Sequence, residues 1–189
     1  MQLDWKERLY QALAEDSRES MPEGVSRAAV AMVIDPSGRL WMMVRAEREG
    51  DPWSGHVGFP GGREEVDDGD LLTTACRETL EEVGWPLTKA DCLGRLDPVR
   101  SPVGGRSAVV VRPYVFWVAR PLIGELNHEV AEVFSIDLKT LLAGTGRGSF
   151  TLHWSGHEVE LPCIDLDGRR LWGMSLRMVD DLLERVERR

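Results

Sequence analysis

The sequence is poor in cysteine and has no long hydrophobic run. Its three cysteines, Cys76, Cys92 and Cys163, show neither a Cys-x-x-Cys pair nor a Cys/His spacing typical of a zinc site. We therefore expect reduced thiols in a cytoplasmic protein, without a disulfide framework. The longest uncharged apolar run, residues 28–34, has the length of a strand, so we expect no membrane span and no membrane partner.

Positive charge is also scarce. The chain has 23 Lys and Arg against 32 Asp and Glu, which gives a formal net charge of −9. A long nucleic-acid partner is not expected, because its phosphates call for a basic surface. The 189 residues are 42% hydrophobic and contain neither internal repeats nor a linker rich in Pro, Gly or Ser. These features predict one domain, 1–189, with its own core.

The spacing of apolar residues predicts a chain of mixed helices and strands, that is, an α/β or α+β fold. We predict an amphipathic N-terminal helix within residues 1–20, a helix at about 70–83, a short helix at 138–142 and a C-terminal helix at 174–189. Strands are predicted at 28–34, 40–44, 92–96, 108–118, 132–136, 150–154 and 158–163, and residues 144–149 are predicted to be a flexible connection. The apolar stripe of the first helix is compatible with a homodimer, although the sequence does not fix the oligomeric state.

Three glutamates of the predicted 70–83 helix stand at i, i+3 and i+4 and share one face: Glu78, Glu81 and Glu82. Unpaired like charges at this spacing destabilise a helix, so a bound divalent cation would explain their presence. Carboxylate oxygens suit hard ions such as Mg²⁺ or Mn²⁺. A solvated charged face is the simpler explanation for an isolated run of acids.

This acidic run does not stand alone in the sequence. It follows a pair of glycines, Gly61 and Gly62, which allow a backbone to approach a ligand closely. An acidic loop comes next, and Arg77 lies at the edge of the glutamate face, where an ion pair can hold the loop. The combination favours a functional site over a solvated surface.

The order of these residues resembles the Nudix box, Gly-x5-Glu-x7-Arg-Glu-U-x-Glu-Glu-x-Gly-U, in which U is apolar. The box spans residues 61–85, and the matching positions are Gly62, Arg77, Glu78, Glu81, Glu82, Gly84 and Trp85. Thr79 occupies an apolar position of the pattern. The spacing from Gly62 to Arg77 is one residue longer than the pattern, so the box glutamate has no exact counterpart. Asp68, six residues after Gly62, is predicted to take that role.

The longer box resembles the coenzyme A pyrophosphatase branch of the family. That branch has an arginine at the end of a strand and a glycine seven residues before the second glycine of Phe-Pro-Gly-Gly, which here are Arg45, Gly55 and Gly62. The likeness runs from about residue 28 to the last helix and includes the segments Pro113-Tyr114-Val115, Asn127-His128-Glu129-Val130 and Leu171-Trp172-Gly173-Met174. A second arginine of the branch is missing from residues 50–54, and Arg48 is out of register, so coenzyme A is the leading substrate among several.

The resemblance implies a Nudix fold, in which a mixed β-sheet lies between α-helices. It also implies hydrolysis of the diphosphate of a nucleoside diphosphate-X compound with Mg²⁺ or Mn²⁺ as the cofactor. The leading substrate is coenzyme A or acyl-coenzyme A, which would give 3′,5′-ADP and phosphopantetheine or its acyl form. The alternatives are ADP-ribose, nucleotide sugars and nucleoside di- or triphosphates, or a non-catalytic module that senses a nucleotide.

The same resemblance assigns roles to individual residues. The expected metal ligands are Glu78, Glu81, Glu82 and the carbonyl of Gly61. The general base stays open between Glu82 and the loop residue Glu129, for which a plain solvent-exposed position is an equally good explanation. The catalytic candidates are therefore Glu81, Glu82, Glu129 and Arg77, and the candidates for substrate contact are Arg45, Arg63, Gly62 and Trp53. For Trp53 the contact would be stacking on a base, although packing within its loop is the commoner role of such a residue.

Overall fold

The structure, a computed structural model, describes residues 4–14, 20–22, 24–49, 54–101, 108–154 and 156–188. It contains the helices α1 (Trp5–Leu13), α2 (Leu71–Val83), α3 (Leu138–Leu142) and α4 (Gly173–Glu187), with short 3₁₀ turns at Val66–Asp68 and Lys89–Asp91. The strands are β1 (Ser26–Ile34), β2 (Arg39–Arg45), β3 (Val57–Gly58), β4 (Gly61–Arg63), β5 (Cys92–Arg95), β6 (Val99–Arg100), β7 (Val109–Trp117), β8 (Val130–Asp137), β9 (Arg147–Trp154), β10 (His157–Leu166) and β11 (Arg169–Trp172).

Eight strands form the main sheet. Its central order is β3-β2-β1-β7-β5, with β4 paired to β1, β6 to β7 and β8 to β2. Strands β1 and β7 run parallel, whereas the other pairs of this sheet are antiparallel. The sheet is therefore mixed, which confirms the sequence prediction.

Helices cover both faces of this sheet, because successive side chains of a strand point to opposite faces. In β1, Ala29 and Val33 belong to the apolar cluster that includes Ala75 and Val83 of α2. The alternate β1 residues Ala28, Met32 and Ile34 belong to the larger cluster on the other face, which contains the apolar sides of α1, α3 and α4. The predicted layering of a mixed sheet between helices is confirmed.

Helix α2 begins and ends where its capping residues predict. The side chain of Asp70 accepts a hydrogen bond from the backbone N–H of Thr73, and Gly84 takes a left-handed conformation with φ of 71°. Thr79, at an apolar position of the box, is fully buried because its hydroxyl donates to the carbonyl of Ala75 at 2.6 Å. The box helix is thus fixed at both ends and along its buried side.

A smaller sheet of order β11-β10-β9 lies beside the main one. The predicted hairpin is confirmed, but its strands are longer than expected. The prediction of a flexible connection over residues 144–149 was wrong at its C-terminal end, since Gly148 and Ser149 pair with Cys163 and Pro162 of β10. The first residues of this strand, Arg147, Gly148 and Ser149, have no apolar alternation, so the sequence offers no periodic signal there.

The remaining differences concern the ends of the chain and the cysteines. Helix α1 is shorter than the predicted 1–20 segment, and residues 1–3 and 15–19 lie outside the described residues. Cys76, Cys92 and Cys163 are all free thiols, as expected. Among the described segments, none of the helices combines the length and the apolar character that a membrane crossing requires.

Candidate active site

Two glycines bring strand β4 against both β1 and α2. A Cβ atom on Gly61 would lie 2.6 Å from the Cα atom of Val30, and the φ of Gly61 is 153°. A Cβ atom on Gly62 would lie 2.5 Å from the Cδ atom of Glu78. The absence of side chains at both positions therefore lets the β4 backbone lie against β1 and leaves room for the Glu78 carboxylate.

Replacing Gly61 with alanine should destabilise the fold by roughly 2–4 kcal/mol, because the new methyl group meets backbone atoms that cannot move independently. The change in free energy of unfolding is measured by urea titration. Gly69→Ala is the matched control: its φ of 74° is also positive, but a Cβ atom there would meet no atom within 4 Å. An equal loss in both variants would assign the effect to backbone conformation and not to the close approach of β4 to β1.

Glu82 is the most deeply buried carboxylate of the box helix. Its side chain is oriented toward β4, where Oε2 accepts a hydrogen bond from the backbone N–H of Gly61 at 2.8 Å, and the residue is only 3% exposed. The pKa of Glu82 is raised to about 7, mainly by burial. The Gly61 hydrogen bond and the charge of Arg45 act to lower this pKa, whereas the charges of Glu78 and Glu129 act to raise it. A cation placed here would favour the ionised form of Glu82.

Arg77 holds the acidic loop against the box helix. Its guanidinium donates two hydrogen bonds to Asp68, at 2.8 and 3.0 Å, and one to the carbonyl of Arg63 at 3.1 Å. It also forms ion pairs with Glu78 at 3.1 Å and Glu81 at 3.3 Å. The predicted tethering role of Arg77 is confirmed by these contacts.

Asp68, which is predicted to take the role of the box glutamate, contacts the box helix. The 3₁₀ turn at Val66–Asp68 brings it to α2, where it is 8% exposed. Its carboxylate also accepts bonds from the N–H of Glu65 at 2.9 Å and the hydroxyl of Thr74 at 2.8 Å. The hydrogen bond from Arg77 is the main reason that the pKa of Asp68 lies far below its usual range. The loop is one residue longer than the family pattern. Its 3₁₀ turn brings the aspartate side chain, which is shorter than a glutamate, within hydrogen-bond distance of Arg77.

The three box glutamates share a helix face, as predicted, but their side chains have different surroundings. Glu82 is buried, the Glu78 side chain is 17% exposed and the Glu81 side chain is 54% exposed. Burial raises the pKa of Glu78 as well. Within the residues that the structure describes, no three His, Cys, Asp or Glu side chains are gathered closely enough to hold a metal ion.

The donor set nevertheless has the chemistry that a hard divalent cation requires. All donors are carboxylate oxygens, one of them is almost completely buried, and burial keeps its charge out of water. Gly61 contributes its N–H to Glu82, whereas the predicted ligand role of its carbonyl stays a prediction.

Glu129 lies close enough to Glu82 to affect its pKa. The loop that carries it is held by its main chain: the N–H of Asn127 donates to the carbonyl of Glu82 at 2.9 Å, and Ala46 donates to the carbonyl of Glu129 at 2.8 Å. The Glu129 side chain is 35% exposed and lies 3.6 Å from a guanidinium nitrogen of Arg48. The structure thus brings the predicted later carboxylate to the box helix, and no pattern in the sequence indicates the Asn127 tether.

The same loop touches the end of α2 through a second pair of glycines. A Cβ atom on Gly84 would lie 2.8 Å from the Cα atom of Gly124 and 2.7 Å from the amide nitrogen of Glu125. The two backbones therefore meet directly at this point.

Arg45 lies on the same side of the molecule, at the end of β2. Its N–H donates to the carbonyl of His56 at 3.0 Å, and its carbonyl accepts from the N–H of Gly55 at 3.1 Å. This pattern, with a φ of 71° at Gly55, is a β-bulge in which two residues face one. It explains why the segment has a glycine at that position, since the left-handed conformation favours glycine.

The other candidates for substrate contact are less centrally placed. The side chain of Arg63 is exposed and donates to the hydroxyl of Ser26 at 3.3 Å. Trp53 lies outside the described residues, as do Gly50, Asp51 and Pro52.

Known proteins resemble this chain in sequence and in structure. A profile of the NUDIX domain matches residues 25–149. The chain is 34% identical over 166 residues to a protein described as "Uncharacterized Nudix hydrolase NudL" from Yersinia pestis (strain Pestoides F), over 85% of this chain and 79% of that protein. The protein of the same description from Yersinia pseudotuberculosis serotype O:1b (strain IP 31758) matches with the same identity and coverage.

Two solved structures have a similar fold. The NUDIX domain of Shewanella oneidensis NrtR, complexed with ADP ribose, superposes with a TM-score of 0.58 at 15% identity and covers 92% of this chain and 95% of that chain. The MutT protein from Methanosarcina mazei Go1 gives a TM-score of 0.56 at 18% identity, over 89% and 97% of the two chains. At these identities the likeness is one of fold alone.

Proposed function

Because this chain belongs to the Nudix family of pyrophosphate hydrolases, we propose that it cleaves the diphosphate of coenzyme A or an acyl-coenzyme A. The products would be 3′,5′-ADP and phosphopantetheine or acyl-phosphopantetheine. The observation that carries the proposal is the buried Glu82 carboxylate, which accepts a hydrogen bond from the N–H of Gly61. Two further acids, Glu78 and Glu129, lie close enough to affect its pKa. A diphosphate can approach such an acidic site only together with cations, as the family chemistry requires.

Mg²⁺ or Mn²⁺ would be held by Glu78, Glu81 and Glu82. When bound, the ions neutralise charge on the diphosphate and lower the pKa of the attacking water. Arg77 is a positioning residue, because its contacts go to Asp68 and to the glutamates. Arg77 would hold the side chains of Glu78 and Glu81 in position before the substrate binds.

A carboxylate beside the attacking water must accept its proton. Glu129 is the first candidate, since its carboxylate is partly exposed and its charge raises the pKa of Glu82. Glu82 is the alternative, although one of its oxygens is already engaged with Gly61. Arg45 would contact a phosphate: its charge acts on Glu82, which supports a position near the site, and arginine offers several donors in a fixed plane.

Support for coenzyme A in particular comes from the Arg45–Gly55 pair. This chain has the arginine and the glycine that the coenzyme A branch has at these two positions. The bulge explains why they occur together, since Gly55 is needed for the backbone turn opposite Arg45. Arg48 is out of register with the missing second arginine of the branch. Its guanidinium lies 3.6 Å from the Glu129 carboxylate, so it faces an acid and we do not assign it to phosphate binding.

A substrate panel tests the proposal. Coenzyme A, acetyl-coenzyme A, ADP-ribose, a nucleotide sugar and a nucleoside triphosphate are incubated with the protein and Mg²⁺ or Mn²⁺ in ¹⁸O-labelled water, and the products are identified by mass spectrometry. We expect the highest kcat/KM for a coenzyme A compound, with the label in one of its two phosphate products. A higher value for ADP-ribose or a nucleotide sugar would move the substrate to that class. Nucleotide binding without turnover of any compound would indicate a sensing module.

A further inference from the structure

Three aromatic rings extend from the candidate active site onto the smaller sheet. The ring centroids of His56 and Trp172 are 4.9 Å apart, and those of Trp172 and Phe150 are 5.3 Å apart, both in edge-on geometry. The guanidinium carbon of Arg170 lies 4.3 Å from the centroid of Phe150. We call these four residues the aromatic strip. Its rings are only partly buried, and Arg170 is exposed.

The strip occupies the face of β11 that is turned away from the core. Leu171 is fully buried in the large apolar cluster. Because side chains alternate along a strand, Arg170 and Trp172 lie on the opposite face. Gly148 pairs with Cys163 on one side of β10, and Trp172 pairs with the same residue on the other side. A Cβ atom on Gly148 would meet no atom within 4 Å, so there is open space beside the strip at this position.

The strip begins beside the candidate catalytic residues. His56 belongs to the bulge opposite Arg45, and two backbone hydrogen bonds join these segments. A bulge is a common means of directing a side chain next to an active site. Arg45 in turn pairs with Val130, and Asn127, three residues earlier, donates its N–H to the carbonyl of Glu82 at 2.9 Å. A substrate whose diphosphate contacts Arg45 can therefore reach the strip with one of its two ends.

The chemistry of the strip distinguishes between those two ends. A partly exposed ring face with a cation beside it suits a purine base, which stacks on single rings and interacts favourably with a guanidinium. The pantetheine end is a flexible chain of amides, which needs paired hydrogen-bond donors and acceptors instead. We infer that the aromatic strip binds the nucleotide half of the substrate, with the purine base against Trp172 and Phe150. This inference rests on the proposed function in so far as the substrate contains a purine nucleotide.

Binding of the two reaction products, measured separately by calorimetry in the presence of Mg²⁺, tests this assignment. The probes are 3′,5′-ADP and 4′-phosphopantetheine, and the variants are Phe150→Leu and Arg170→Gln. For each variant we expect 3′,5′-ADP to bind roughly 10-fold more weakly, which is within the range for loss of one stacking partner. The affinity for phosphopantetheine should stay within about twofold of wild type, since uninvolved surface changes have small effects.

Thr151→Ala is the matched control, because Thr151 neighbours Phe150 on β9 and points to the other face of the strand. It should change neither affinity. Wild-type affinity for 3′,5′-ADP in both strip variants, or a selective loss for phosphopantetheine, would overturn the inference. Arg170→Gln alters an exposed side chain, so it keeps the test valid even when Phe150→Leu lowers the thermal stability.

A further titration with AMP separates this inference from the proposed substrate. A chain that hydrolyses ADP-ribose and not coenzyme A should still lose affinity for AMP in the strip variants. In that case the substrate proposal fails and the strip assignment holds. Cleavage of coenzyme A together with unchanged nucleotide binding in the variants would support the substrate proposal and overturn the strip assignment.

Discussion

Glu82→Gln should remove most of the hydrolytic activity while leaving the fold at least as stable as before. The glutamine oxygen can still accept the hydrogen bond that Gly61 donates, and the amide removes a charge from a site that is only 3% exposed. Activity should fall at least about 100-fold, the upper end of the loss known even for groups that only support a metal ligand. The measurements are kcat/KM at saturating Mg²⁺ and the melting temperature in the presence of a chelator.

Glu81→Gln provides the matched control on the same helix. The Glu81 side chain is 54% exposed and contacts Arg77, so its loss should affect activity less than the loss of Glu82 does. Full activity of the Glu82→Gln variant at saturating metal would remove Glu82 from the metal site. A large drop in its melting temperature would instead show that the charge itself stabilises the fold.

Arg77→Met should lower both stability and activity, because it leaves Asp68 buried without its cation. Breaking one side of a buried ion pair typically costs about 3–5 kcal/mol. The methionine stem keeps much of the packing of the arginine chain, so the loss reports mainly on the charge. The free energy of unfolding, measured with urea at neutral pH, should therefore fall by roughly that amount. Activity should fall as well, since the loop and two glutamates lose a common partner.

A double-mutant cycle with Asp68→Asn isolates the pair. The double variant should be less destabilised than the sum of the two single variants, because it no longer contains an isolated buried charge. Asp67→Asn, a change at the exposed neighbouring position, should have little effect. Additive losses in the double variant would mean that Arg77 and Asp68 stabilise the fold independently.

The contribution of this pair should depend on pH in a defined direction. The pKa of Asp68 is lower in the folded chain than in the unfolded chain, where it is about 4. The resulting stabilisation is fully present above pH 4 and is lost as the pH falls toward the folded-state value. The difference in stability between wild type and Asp68→Asn should therefore be largest at neutral pH and shrink below pH 4.

Local signals predict the parts of the fold that depend on a few neighbouring residues. Asp70 and Gly84 mark the ends of α2 because capping is decided within one helical turn. The short strands β3, β4, β6 and β11 have no such signal, since two to four residues cannot display an alternation. Their strand geometry comes from pairing with distant segments, such as Gly61 with Val30.

In the candidate site, too, some features follow from neighbouring residues and others from distant segments. The spacing of Glu78, Glu81 and Glu82 predicts a shared helix face, and the structure has that face. The different burial of these glutamates depends on β4, which packs on the helix through Gly61 and Gly62. The neighbourhood of Arg45 likewise depends on a bulge formed by residues ten positions further on, which no local pattern reveals.

The buried arginine of β7 is a feature that hydrophobicity does not predict. Arg112 is 2% exposed within a strand that is otherwise apolar, and its guanidinium donates to the carbonyl of Leu96 at 2.9 Å. Hydrophobicity alone predicts a strand here but places no charge inside it. A hydrogen-bond partner such as this neighbouring carbonyl makes that burial acceptable.

The backbone contact between Gly84 and Gly124 has a consequence for how this enzyme can change over time. The hydrogen bond from Asn127 to the carbonyl of Glu82 and this contact join the loop to the helix, so the backbone positions of Glu129 and Glu82 are linked. Single substitutions should leave the backbone separation of these two positions in place, whereas insertion or deletion in the loop should change it. Single substitutions that change substrate preference are therefore expected away from this loop and helix, for example on the smaller sheet.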